Sequence, residues 1–380
     1  MNETALKSFL EETFAWLHSH PELSHEEYET TAKLKDLLSK EHIRLLELPL
    51  TTGAVAETGI KDGPMVAIRA DIDALPIEEE TSLPYASKFK GKMHACGHDF
   101  HTACMLGAAL LLWERRETLA GTVKIVFQPA EELAIDAGGK RVCLTGLLDD
   151  CAEFYGIHTY PQFEAGTIGI KPGPVMAAPD HFIMTIRGRG AHAAQPQKGV
   201  DPIPAMAALI MSLQTIVSRR VNPFANAVLT VAHVQAGSVY NVIPETALLE
   251  GTVRTLDPAV RQEIKTRLRE MAEGTAAAYG CTLEYSYLDG PDAVINDAAL
   301  CEAAKKVALD MGFRVDRQEH TMGGEDFSEY LKICPGVFVR VGTGGGYTNH
   351  HPRFTADPAA LWPAARFFAE LALQRARADR

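Results

Sequence analysis

No stretch of this 380-residue chain is apolar for long enough to cross a membrane. The longest such run, MLGAALLLW at 105–113, stops at ERRE, well short of the roughly 20 residues a spanning helix needs. Basic stripes are missing as well. With 37 Lys+Arg against 49 Asp+Glu the formal charge is −12, and no nucleic-acid partner is expected. Cysteine is sparse and unpatterned: seven residues, an odd number without framework spacing, which points to reduced thiols and a cytoplasmic location. The opening MNETALKSFLEETFAWLHSH has neither the basic start nor the apolar core of a signal peptide. Internal repeats and low-complexity tracts are absent. What remains is an ordinary globular composition, 46% hydrophobic and 23% charged, in a length that suits two domains.

Periodicity divides the chain. ETALKSFLEETFAWLHSHPEL reads as a helix stopped by Pro21, and HEEYETTAKLKDLLSKEH as a second, both with apolar residues at helical spacing. PMVAIRADIDALP is a buried strand ending in two carboxylates, residues 102–116 a buried helix, GTVKIVFQPAEE a strand running into two glutamates, and AEFYGIHTYP a strand running into His158. From about 179 the order becomes strand, helix, strand, strand, helix, strand, up to about 294. That βαββαβ order is the ferredoxin-like split motif. Alternation then resumes with a helix at 297–312, the strand GVFVRVGTG and a last helix. The predicted fold is α/β: a discontinuous domain, 1–178 with 295–380, around a mixed, largely parallel sheet flanked by helices, carrying an inserted domain at 179–294.

The polar clusters share a position. Asp71 and Asp73, Glu131 and Glu132, His158, and the NHH at 349–351 all follow apolar, strand-like runs. Ligands of open α/β sheets gather beyond the carboxyl ends of strands. MHACGHDFH at 93–101 adds three histidines, a cysteine and an aspartate. In an extended turn Cys96 and His98 would point the same way, and thiolate with imidazole suits zinc and related divalent metals. Taken alone, each cluster also has a plain reading: a buried small thiol, a solvated acidic loop, exposed histidines. Adjacent glutamates allow a division of labour, one holding a metal and the other moving a proton.

In order along the chain, RADIDALP, MHACGHDFH, FQPAEE, GIHTYP, GRGAHAAQP, NVIPETALLEGTVRT, GGEDF and HHPRF resemble the motifs of the aminoacylase/hippurate hydrolase metallopeptidases. That family includes indole-acetyl-amino-acid hydrolases and N-acetyl-diaminopimelate deacetylases. The resemblance spans nearly the whole chain. It implies two divalent metal ions held by Cys96, His98, Glu132, His158 and His350, with the Cys96 thiolate between them and His351 as the alternative last ligand. It implies Glu131 as general base and Asp73 as the group that orients a ligand. Asp71 stands where more distant relatives carry a metal histidine. From the inserted domain, His192 resembles the histidine that stabilises the oxyanion. Asn241 and Arg254 resemble substrate-binding groups, arginine suiting a carboxylate, and Glu325 a residue that helps position substrate or metal.

The resulting expectation is a metal-dependent amidohydrolase that cleaves small N-acyl amino acids, a homodimer with the inserted domain as lid and dimerisation element. Manganese, zinc, nickel and cobalt all fit the ligand set. The alternatives are a di-metal dipeptidase or carboxypeptidase on the same frame, and a non-catalytic metal-binding protein.

Overall fold

The computed structural model describes residues 2–59, 63–133, 135–317 and 319–377. In chain order the helices are α1 (Glu3–Ser19), α2 (Tyr28–Lys40), α3 (His98–Glu114), α4 (Gly138–Cys143), α5 (Pro202–Arg219), α6 (Pro258–Ala278), α7 (Ala298–Asp310) and α8 (Leu361–Arg375). The strands are β1 (Arg44–Leu46), β2 (Ala54–Gly59), β3 (Met65–Asp71), β4 (Thr122–Gln128), β5 (Glu153–Tyr160), β6 (Thr167–Gly169), β7 (Gly173–Met176), β8 (Ala178–Arg187), β9 (Ala191–His192), β10 (Ala227–Ala236), β11 (Val242–Ile243), β12 (Thr246–Thr255), β13 (Thr282–Leu288), β14 (Val294–Asn296), β15 (Arg314–Asp316) and β16 (Gly336–Gly342). Caps announce several helices. Asp201–Pro202 and Asp257–Pro258 each place an accepting carboxylate before a proline in the first turn, where the missing N–H costs nothing.

The chain forms two compact units. The first runs up to Val175 and adds Ile295–Glu319 and everything from Asp326; the second is Met176–Val294 with His320–Glu325. The short segment 320–325, which alternation alone places in the larger domain, groups with the second unit for a local reason. Ala177 donates its N–H to the Gly323 carbonyl at 2.8 Å, and a Cβ on Gly324 would sit 2.5 Å from the Pro179 ring.

In the first unit eight strands order as β1-β2-β4-β3-β5-β16-β6-β15. The centre, β4-β3-β5-β16, is parallel, while β1–β2, β2–β4 and β16–β6 are antiparallel. The sheet is therefore mixed, and its parallel centre brings the carboxyl ends of β3, β4 and β5 to one edge. Helix α3 is buried nearly all round, which explains why its sequence carries no amphipathic stripe. At Gly107 any Cβ would lie 2.7 Å from Leu10 and 2.9 Å from Ala365, so glycine permits α1 and α8 to close on it.

The second unit is an antiparallel sheet, β10-β12-β8-β13, the strand order of a ferredoxin-like split motif. Burial alternates residue by residue along β12, with Leu249 and Val253 joining Leu213 of α5 and Leu268 of α6 in one core. Among the described residues no helix is long and apolar enough to cross a membrane.

Candidate metal centre

The site begins at the strand ends. Asp71 closes β3, and Asp73 follows it, both fully enclosed. Beyond β4 the chain turns at Ala130, a non-glycine residue at φ 52°. Such a conformation needs support from its surroundings. The buried Glu27 supplies it by accepting the Ala130 N–H at 2.8 Å, and Gly138 N–H binds the Ala130 carbonyl at 2.9 Å. The two residues after this turn are Glu131 and Glu132, whose side chains are about a tenth exposed (10% and 11%). That burial removes the solvated-loop reading of the pair.

MHACGHDFH is not an extended turn. Gly97, at φ 88°, reverses the backbone, and His98 is the first residue of α3. Cys96 and His98 converge because they flank a left-handed glycine at a helix start. A Cβ on Gly97 would meet the Thr159 side chain at 2.8 Å, so glycine is demanded here by both conformation and space.

Five potential ligands come together within the first unit. Cys96 Sγ lies 3.5 Å from His158 Nε2. Ligand atoms of Cys96, His98 and His158 lie within 4.8 Å of one another, as do those of Cys96, Glu132 and His350, and those of His98, Glu131 and Glu132. His350 Nε2 stands 3.4 Å from Glu132 Oε1. His351 does not join them: its Nδ1 accepts the Arg353 N–H at 3.0 Å and its ring stacks on Tyr347. Of the two histidines of the motif, His350 is the one whose ring lies beside Glu132 and Cys96.

Hydrogen bonds set the tautomers. His98 Nδ1 bonds Asp73 Oδ1 at 3.1 Å, and His158 Nδ1 donates to the Thr159 carbonyl at 2.7 Å. Each pairing puts a proton on Nδ1 and turns Nε2 toward the cluster, the orientation that metal-bound imidazoles require. Asp73 is fixed in turn by the Ser24 hydroxyl at 2.6 Å and the Glu132 N–H at 3.0 Å.

The donor set fits a pair of divalent ions. His98 Nε2 and Glu132 Oε1 are buried without a hydrogen-bond partner, although such atoms nearly always find one. His98 Nε2 is 3.6 Å from Asp71, 3.8 Å from Glu132 and 3.9 Å from Glu131. Those separations are too long for hydrogen bonds, but they suit donors sharing a cation at about 2.0–2.3 Å. The electrostatics agree. Burial opposes a charge on His98, yet Asp71, Asp73 and Glu132 lift its imidazole to about 10; a cation in place of that proton meets the same field. Burial and the neighbouring His101 hold His158 neutral, well below the usual imidazole value.

Sequence reasoning passed over the groups behind this cluster. His101, the third histidine of MHACGHDFH, donates from Nδ1 to Asp71 Oδ1 at 2.5 Å and accepts the Thr159 N–H on Nε2 at 2.7 Å. Arg69, wholly buried, binds Gln128, Asp71 and Asp326 at 2.7–2.8 Å. Asp71 is therefore occupied by Arg69 and His101. Burial opposes its charge, but His98, Arg69 and His101 hold it ionised, well below the usual carboxylate value. The signal for His101 lay in its three-residue spacing from His98, once both are placed on α3. Arg69 and Asp326, 257 residues apart, left none.

The remaining predicted residues belong to the second unit. His192 lies on β9, opposite Val242 of β11, and its Nδ1 accepts the Ala194 N–H at 3.0 Å, so the ring proton is on Nε2. Asn241 adjoins it, its carbonyl accepting the Ala193 N–H at 3.1 Å. Arg254, half-buried on β12, donates to Thr252 Oγ1, and Glu325 is buried.

Comparison with known proteins agrees with this centre. The chain is 48% identical over 359 residues to an N-acetylcysteine deacetylase of Bacillus subtilis, covering 94% of both chains. It is 36% identical to IAA-amino acid hydrolase ILR1-like 4 of Arabidopsis thaliana, across 94% of this chain and 83% of the plant protein. Among solved structures, the Bacillus subtilis YXEP protein, a dinuclear metal-binding peptidase, superposes with a TM-score of 0.88 at 44% identity, covering 98% and 99% of the two chains. Residues 67–374 match the peptidase family M20/M25/M40, and over a span that contains every residue of the cluster the chain belongs to that family.

Proposed function

We propose that this chain is a metal-dependent amidohydrolase that cleaves N-acyl amino acids to a carboxylate and a free amino acid. The observation that carries the reading is the pairing of the donor cluster with two glutamates on one strained turn. Glu132 Oε1 faces His350 and His98, and Glu131 stands beside it, 3.9 Å from His98 Nε2. Deacetylase and IAA-amino acid hydrolase relatives support the substrate class.

Cys96, His98, Glu132, His158 and His350 would hold two divalent ions, with manganese, zinc, nickel or cobalt all compatible with the mixed donors. When bound, such ions supply Lewis acidity, polarising the amide carbonyl and acidifying water to a pKa of about 7. Glu131 takes the proton of the attacking water and delivers it to the departing nitrogen, the two halves of general acid–base catalysis. Asp73 keeps the His98 lone pair on the site. His192, donor at Nε2, hydrogen-bonds the developing oxyanion. Asn241 and Arg254 hold the substrate carboxylate, with Glu325 helping to orient it.

The second unit (Met176–Val294 with His320–Glu325) is the lid and the dimerisation element of this reading. Its edge strand β10, together with Phe224 and Tyr240, 94% and 97% exposed, supports a homodimer, since open edges and large exposed apolar side chains favour pairing. A cytoplasmic location accords with seven cysteines that form no disulfide.

The test is a panel of N-acetyl, N-benzoyl and indole-acetyl amino acids, N-acetylcysteine among them, run beside dipeptides with each of the four metals. Hydrolysis of the acyl amino acids with little turnover of dipeptides is the expected result. Faster turnover of dipeptides would move the assignment to a peptidase.

A further inference from the structure

The three chain segments that carry Cys96, His158 and His350 are joined by side chains next to those residues. Thr159, fully buried directly after His158, donates its hydroxyl to the Cys96 carbonyl at 2.9 Å. Asn349, directly before His350, donates its amide to the same carbonyl at 2.9 Å and to Thr159 Oγ1 at 3.0 Å. The three bonds close a triangle in which Thr159 Oγ1 both donates and accepts and Cys96 O accepts twice, within the capacity of each group. The backbone adds a fourth tie, His350 N–H to the Ala95 carbonyl at 2.8 Å. His350 itself lies at φ 66°, a conformation that persists only where its surroundings impose it.

We infer that Thr159 and Asn349 are positioning residues that set the spacing of Cys96, His158 and His350 before any metal arrives. The inference rests on the metal reading above. The donor groups come from three segments 62 and 192 residues apart in sequence (158 − 96 and 350 − 158), so their mutual placement is not local. Without the triangle, an entering ion would have to order three segments at once, and that ordering cost would appear as weaker binding. Both residues act through the donors beside them: His158 Nδ1 donates to the Thr159 carbonyl at 2.7 Å, and Asn349 adjoins His350.

Three variants of the full chain test this. Thr159→Val keeps both γ atoms, and so the packing against Gly97, but deletes the hydroxyl; Thr159→Ser restores it; Asn349→Ala removes the amide. The readouts are metal content per chain, the rate at which a chelator strips metal, and the thiolate-to-metal absorption of the cobalt-loaded protein. Partners that orient ligands typically contribute about 10–100-fold to metal affinity. Thr159→Val and Asn349→Ala should therefore lose metal at least about 10-fold faster and show altered thiolate absorption, with Thr159→Ser close to the parent. Parent-like release and absorption in both Thr159→Val and Asn349→Ala would overturn the inference, even if their melting points fall, because that pattern marks a merely structural role. A parent chain holding fewer than two ions would overturn the metal reading itself, and this inference with it.

Discussion

The two units carry their candidate residues in opposite ways. In the first, the groups are buried or half-buried, His350 excepted at 54% side-chain exposure, and several are braced: Asp73 by Ser24 and Glu132, His158 by Thr159, Asp71 by Arg69 and His101. In the second, His192 and Asn241 are exposed and ride on a ribbon of two-residue strands. A donor cluster for cations must be held before the cation arrives, because orphaned buried atoms and crowded carboxylates destabilise the fold unless the frame fixes them. A donor that acts only on a transient oxyanion has no such requirement in the resting state. Rigidity here follows the electrostatic burden of the residue.

Experiments that break this contrast can be ranked by expected effect. Removing metal with a chelator should abolish turnover altogether, and Cys96→Ala should lower metal content per chain. Full activity in a demonstrably metal-free preparation would remove the proposed mechanism. Next comes Glu131→Gln, which preserves shape but cannot accept a proton. A kcat loss of at least about 10²–10⁴-fold is expected, with metal content retained, whereas Glu132→Gln should lose metal. The opposite pattern of stoichiometry would exchange the two roles.

His192→Ala sharpens the comparison from the other unit. Loss of one oxyanion donor costs about 10²–10³-fold in kcat, and metal content should stay at the parent level, since the proposed mechanism gives His192 no metal to hold. Mixing His192→Ala with Glu131→Gln chains asks whether the histidine serves its own chain or a partner. Activity regained in mixed dimers would mean sharing, and simple addition of residual activities would exclude it.

The smallest effect concerns stability, at a bracing group of the first unit. His18 bonds Asp99 at 2.6 Å and Glu79 at 3.2 Å. Burial opposes its charge, but the two carboxylates raise its imidazole from 6.5 to about 10. The folded form therefore binds the proton more tightly than the unfolded chain. This contribution is complete below pH 6.5 and disappears as pH rises toward 10. Melting temperature should fall across that window in the parent, and the fall should be shallower in His18→Gln. Equal slopes would show that His18 is not charged in the fold.

The larger share of the fold was legible from periodicity. The βαββαβ order, the Asp–Pro helix starts and the strands ending in carboxylates are local patterns. The short strands β1, β2, β6 and β15, three to six residues each, carry too little alternation to register in the sequence. In the site, motif order pointed to Cys96, His98, Glu132, His158 and His350, and each lies in the cluster. The local geometry differed. Spacing treated Cys96-x-His98 as extended, but a left-handed glycine and a helix start bring the two side chains together.

By itself, then, the sequence determined which chemistry is available: thiol, imidazole and carboxylate donors at strand ends, and a second glutamate beside the first. Only the tertiary structure decided which of two adjacent histidines faces the cluster, which nitrogen of each imidazole carries its proton, and that Asp71 is occupied by Arg69 and His101. The reason is physical. Donor identity is a property of one residue, while ligand choice, tautomer and charge depend on partners such as Asp326 and Thr159, brought into contact by the register of a parallel sheet and invisible to any local pattern.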